Sequence, residues 1–117
     1  MESRIEEIAV VMQQLRLPVH DEKSAQQQLA DHFDAKGISY QREVRLSPRD
    51  IVDFVVDGIA IELKVKGSRS AALRQVERYA KHSEVTGVVL LTNRSCLIPS
   101  VINGKPACAV SMAGAWL

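Results

Sequence analysis

The sequence predicts an α/β fold with a mixed β-sheet flanked by helices, and three observations carry that expectation. Two N-terminal segments repeat apolar residues at helical spacing, and the segments after them alternate apolar and polar residues at a period of two. A further amphipathic helix then leads into a continuous apolar run, the pattern of a strand, a crossover helix and a parallel neighbour. With 117 residues, 46% apolar and 25% charged, the chain can bury a core and is too ordinary in composition for disorder, collagen or a coiled coil. One domain is expected over residues 1–117, with its core at about 20–92.

Ser3 followed by Glu6 reads as a capping box, and Ile5, Ile8, Ala9, Met12 and Leu15 make a helix that Pro18 ends. A second helix is expected from an Asp21 N-cap to Lys36, with Ala25, Leu29 and Phe33 on its inner stripe and Gly37 as its stop. Ile38, Tyr40, Val44 and Leu46 then alternate with Ser39, Gln41, Glu43 and Arg45 up to the turn at Ser47-Pro48. Arg42 breaks the alternation. Strands at 51–56 and 59–65 are joined by Asp57-Gly58, a dipeptide that tolerates positive φ and favours a two-residue hairpin. Gly67-Ser68 opens a helix at about 69–82 with Leu73, Val76 and Ala80 inward, and 85–92 reads as a buried strand. Asn103-Gly104 marks a C-terminal hairpin, and Pro99 and Pro106 push its flanks toward a sheet edge. The order is ααβββαβ plus that hairpin.

No apolar run is long enough to span a membrane, and the charged N-terminus lacks the apolar stretch of a signal peptide, so a cytoplasmic location is expected. Cys96 and Cys108 stand apart, with neither disulfide nor zinc spacing, and read as reduced thiols. His20, His32 and His82 share no metal spacing; His32 reads as a packing residue and His82 as a partner of its helix C-terminus. Residues 111–117, with Met112, Trp116 and Leu117, are apolar for a chain end and would cover the sheet or meet a partner. The 15 Lys and Arg nearly balance the 14 Asp and Glu overall, but residues 1–37 carry a net −3 and residues 62–94 a net +4. The middle of the chain could therefore face a polyanion.

The Asp57-Gly58 turn sets a register in which Val56 opposes Ile59, Val55 Ala60, Phe54 Ile61, Asp53 Glu62 and Val52 Leu63. Val52, Phe54, Val56, Ile59, Ile61, Leu63 and Val65 then share one face, and Asp53, Val55, Ala60, Glu62 and Lys64 the other. Like charges opposed across a hairpin, with Cβ atoms about 5 Å apart, destabilise it. A hard cation such as Mg²⁺, held by one or two carboxylates, would compensate. An ordinary solvated face is the other reading of the same residues.

Asp53 followed by Glu62-Leu63-Lys64 across a hairpin resembles the signature of the PD-(D/E)XK nuclease superfamily, and residues 20–92 follow the order of its restriction-endonuclease-like αβββαβ core. Glu22, aligned with the inner stripe of its helix, resembles the helix glutamate of Holliday-junction-resolvase-like members. Gln75 and Tyr79 resemble the Q-x-x-x-Y motif of lambda-exonuclease-like members. The literal proline is replaced by Val52, and the acidic first helix differs from the basic N-terminus of archaeal junction resolvases. Asp50 and Asp57, the other nearby acids, read as turn residues.

The resemblance implies metal-dependent hydrolysis of DNA phosphodiester bonds, with junctions or flaps among the candidate substrates. Asp53, Glu62 and the Leu63 carbonyl would hold Mg²⁺, or Mn²⁺ in its place, with Glu22 holding a second metal or its water. Lys64 would orient the attacking water, and Gln75 and Tyr79 would position Lys64 or a phosphate. Lys66, Arg69, Arg74, Arg78 and Lys81 are candidate phosphate contacts. A homodimer is expected, since symmetry supplies a second active site for a two-stranded or branched substrate. A non-catalytic nucleic-acid- or protein-binding module with a nuclease-like fold is the alternative, and an unrelated small α/β interaction protein a third.

Overall fold

Ser3 Oγ accepts the Glu6 N–H at 3.4 Å while the Glu6 carboxylate accepts the Ser3 N–H, so the expected capping box starts α1 (Arg4–Gln13). Asp21 accepts from Ser24 N–H at 3.2 Å and starts α2 (Glu22–Ala35), which ends with Gly37 at φ +70°. These elements belong to a computed structural model that describes residues 3–18, 20–93 and 98–113. The expectations at Cys96, Trp116 and Leu117 lie outside the described residues.

The chain is α/β, with a mixed six-stranded sheet in the order β1-β2-β3-β4-β6-β5 flanked by three helices. β1 (Gln41–Arg45), β2 (Ile51–Val56) and β3 (Ile59–Lys64) form an antiparallel meander. α3 (Arg69–Ala80) then crosses to β4 (Gly87–Thr92), which pairs in parallel with β3 as the sequence led us to expect. β5 (Val101–Ile102) and β6 (Lys105–Ser111) are the C-terminal hairpin, and β6 lies parallel to β4 with β5 at the sheet edge. Both tight turns have two residues at positive φ: Asp57 +49° and Gly58 +80°, Asn103 +52° and Gly104 +77°.

Several elements are shorter than expected because local hydrogen bonds claim their ends. Ile38 N–H returns to the Phe33 carbonyl at 2.9 Å, so β1 begins only at Gln41. Val85 N–H is taken by the His82 carbonyl, and β4 starts at Gly87. α3 stops at Ala80 in place of the expected 82, with Lys81 as its C-cap.

One core lies between the sheet and α1 with α2, where Ile8, Met12, Leu29 and Phe33 pack on Phe54, Ile61, Leu63 and Val89. The other lies beneath α3, where Ala72, Val76, Tyr79 and Ala80 cover Ala60, Val88 and Leu90. Arg42, the break in the alternation, sits 5.3 Å from the Phe54 ring centre and donates to Gln27. Val52 corrects the sequence expectation: it packs in the core beneath α3 and not on the face of Phe54 and Val56. No described helix is long and apolar enough to cross a membrane.

Two glycines separate conformational from steric cost. A Cβ at Gly58 would stand 2.9 Å from the Thr86 side chain in addition to the strain of φ +80°, whereas at Gly37 nothing lies within 4 Å. Gly37→Ala should cost about 1–2 kcal/mol in urea unfolding, and Gly58→Ala distinctly more; equal losses would mean that the contact with Thr86 is relieved without cost.

Candidate active site

β2 and β3 pair from Val56–Ile59 to Phe54–Ile61, as the turn requires. At Asp53 and Glu62 the backbone ladder gives way to side chains. Asp53 Oδ2 accepts the Leu63 N–H at 2.8 Å, and Glu62 Oε1 accepts the Asp53 N–H at 3.4 Å. The two acids are therefore linked crosswise and not as the ladder pair expected from the turn, and Val52 does not pair with Leu63. Ionised carboxylates are stronger acceptors than carbonyls, and splaying the strands separates like charges.

Glu62 is 5% exposed. Its Oε1 is 3.2 Å from the Tyr79 hydroxyl, while Oε2 accepts from Gln75 Nε2 at 3.2 Å and lies 3.6 Å from Lys64 Nζ. Gln75 also donates to the Tyr79 oxygen at 2.7 Å, a pairing that their i, i+4 spacing on α3 allows. The Tyr79 hydroxyl has one proton for two acceptors, Glu62 Oε1 and the Ile51 carbonyl at 3.0 Å.

Glu22, in the first turn of α2, reaches the end of β3 and accepts the Val65 N–H at 3.4 Å. Its charge acts on Asp53, as does that of Glu43 on β1. Glu43 was read from the sequence only as an alternating polar residue; it stands beside Asp53 with φ +51°. Its place on the outward face of β1 was the available signal. The Leu63 side chain is buried on the opposite face against α1 and α2.

Both members of the acid pair hold protons more tightly than usual. Burial pushes Asp53 up to about 6, with Glu22 and Glu43 adding to the shift and the Leu63 N–H and Lys64 opposing it. Burial and repulsion from Asp53 push Glu62 up to about 7 against the pull of Lys64, the Asp53 N–H and Tyr79. Burial and the adjacent Glu62 raise the Tyr79 hydroxyl as well.

Among the basic residues expected to meet phosphates, Lys66, Arg69, Arg74 and Lys81 are exposed. Lys64, Lys66 and Arg69 line a small depression with Thr92 and Asn93 at the ends of β3 and β4. Arg74, Arg78 and Lys81 line another with Arg49 and Glu77. Arg78 is tied to Asp50, which is 5% exposed and also faces His82. Asp50 thus has a side-chain role beyond the turn, and His82 has a carboxylate partner.

Asp53 and Glu62 could hold a hard cation between them: their oxygens are suitable donors, and a divalent charge would relieve the repulsion that favours their protonation. Among the described residues, no group of three or more His, Cys, Asp or Glu side chains is arranged to hold a metal ion. Any such site rests on the pair, completed by backbone or solvent oxygens.

Comparison with protein-family models, curated proteins and solved structures gives no match for this chain. Fold and site define an α/β protein with a carboxylate pair, a lysine, a glutamine and a tyrosine gathered at the open end of a hairpin.

The raised carboxyls make stability depend on pH. The folded state binds more protons than the unfolded chain between the ordinary acid range and about 7, so the pair's contribution is complete at low pH and lost as pH rises through about 6 and about 7. Asp50 has the opposite sign: burial raises it, but His82 and Arg78 outweigh burial and hold it low, so its contribution is lost as pH falls. In metal-free buffer the urea midpoint should fall from about pH 5 to about pH 8, and Glu62→Gln should flatten that fall. An undiminished slope in the variant would exclude Glu62 as its source.

Proposed function

We propose that this chain is a small metal-dependent nuclease of the PD-(D/E)XK type that hydrolyses DNA phosphodiester bonds. The observation that carries this reading is the grouping of Asp53, Glu62 and Lys64 at the splayed end of β2 and β3, with Lys64 Nζ 3.6 Å from Glu62. The order α2, β1 to β3, α3, β4, with an antiparallel meander and a parallel β3–β4 pair, supports a restriction-endonuclease-like core.

Asp53 and Glu62, with the Leu63 carbonyl, would hold Mg²⁺ or Mn²⁺, and Glu22 a second metal or the water of the first. When bound, the ion supplies a lower pKa for water and positive charge for the phosphate. Lys64 supplies a fixed cation at the rim, where it orients the attacking water and stabilises negative charge that develops on phosphate. Tyr79 and Gln75 hold the Glu62 carboxylate in one orientation by donating to its two oxygens. Lys66, Arg69, Arg74, Arg78 and Lys81 bind the DNA backbone without reading sequence. Action in the cytoplasm, a homodimer with two sites, and a preference for branched or flap DNA complete the proposal.

A non-catalytic binding module is favoured by a different observation: both Glu62 oxygens already have partners within the protein. Cleavage of labelled linear, flap and four-way-junction DNA in Mg²⁺ and Mn²⁺ separates the two readings. Wild-type protein should cut in metal, and Asp53→Ala and Lys64→Ala should each lose at least about a hundredfold in rate while remaining folded. DNA binding without cutting would establish the module. Protons and metal compete for the pair, so the rise in Tm on adding Mg²⁺ should grow from about pH 6 to about pH 8.

A further inference from the structure

Besides Glu62, a second buried carboxylate grips the helix that serves the acid pair. Asp50 closes the turn between β1 and β2, where its carbonyl accepts the Leu46 N–H at 2.8 Å. Its two side-chain oxygens are divided between residues near the end of α3: Oδ1 accepts from Arg78 Nε at 3.0 Å, and Oδ2 lies 3.1 Å from His82 Nε2. Between those residues stands Tyr79, whose hydroxyl meets the carbonyl of Ile51 at 3.0 Å and Glu62 at 3.2 Å. The end of α3 is thus tied to the start of β2 by neighbouring contacts, and one of them leads directly to the acid pair.

The other contacts of α3 leave that placement less determined. Ala72, Val76 and Ala80 pack by apolar contact, which is non-directional. Asn103 and Lys105, from the C-terminal hairpin, hold the carbonyls of Ala80 and His82 at 3.1 and 2.6 Å. Those bonds anchor the helix end to β5 and β6, not to β2. Tyr79 packs its ring in the core beneath α3, but its hydroxyl shares one proton between two acceptors, so the bond to Glu62 is not set by the hydroxyl alone. Beside the Tyr79–Ile51 bond, the charge-assisted contacts of Asp50 supply the stronger directional link to the start of β2.

We propose that Asp50 is a positioning residue for the acid site: by holding Arg78 and His82 it sets where Tyr79 and Gln75 stand over Glu62. Its consequence for turnover rests on the nuclease reading; the placement of Tyr79 does not. Asp50→Asn keeps the size of the side chain and removes the charge that both partners face. The apolar contacts of α3 and the bonds from Asn103 and Lys105 remain to hold the helix.

The chain has two tyrosines, so ring-¹³C labelling gives two sets of signals. Tyr40, packed near Phe33 and Phe54 on the opposite face, is the internal reference. In metal-free protein at fixed pH, Asp50→Asn should displace the Tyr79 Cζ signal and leave that of Tyr40 in place. In the cleavage assay kcat should fall about tenfold or more with little change in KM. His82→Ala removes one arm of the grip and should move the same signal less, which provides a second variant if Asp50→Asn does not fold. An unmoved Tyr79 signal in a folded variant, with only a lower Tm, overturns the proposal. If wild-type protein cuts no DNA, the nuclease reading falls, and the tyrosine signal alone decides the positional role.

Discussion

Asp53 and Glu62 each accept a backbone N–H across the gap between β2 and β3, and much of the surrounding arrangement is organised around that exchange. Near the Asp57-Gly58 turn the two strands pair regularly; at the acids the ladder stops and the strands part. Parting leaves Val52 in the core beneath α3, the helix from which Tyr79 and Gln75 approach Glu62. Lys64, two residues beyond Glu62 on the same strand, adds a cation to the rim. One local conflict between like charges and backbone pairing thus joins the sheet, helix packing and the site.

Two carboxylates with little exposed surface meet different partners, and their proton affinities move in opposite directions. Asp50 and Glu62 are each 5% exposed, yet Asp50 is held below its ordinary proton affinity while Glu62 rises to about 7. Asp50 faces Arg78 and His82; Glu62 faces Asp53, and Lys64 stands at 3.6 Å. A charged partner in hydrogen-bond contact can offset burial, whereas a more distant cation opposed by another acid does not. One carboxylate works as a staple. The other remains under-neutralised, an arrangement suited to receiving a positive charge.

Features encoded over a few residues were legible in the sequence. The Ser3–Glu6 box, the two turns and the spacing of Glu62 with Lys64 and of Gln75 with Tyr79 all depend on neighbours along one element. The approach of Glu22 was also legible, because the inner stripe of α2 fixes its direction. Features that depend on distant segments were hidden: Asp50 looked like a turn residue until α3 brought Arg78 and His82 to it. Glu43 matched an alternating pattern that contains no record of a left-handed φ or of Asp53 on the next strand. The face of Val52 was misread because regular alternation was extended past the point where the ladder ends.

The backbone irregularity at Glu43 also bears on how this sheet meets other chains. β1 is an outer strand, and a straight outer strand presents a row of unpaired amides and carbonyls to any passing β-segment. Here that row is bent at φ +51° and flanked by Arg42 and Arg45, while at the opposite margin β5 pairs only with Lys105 and Pro106 of β6. The β1 margin is therefore a poor template for strand addition. A partnership between copies on the β1 side would have to be built from side chains, leaving that hydrogen-bonding edge out of it.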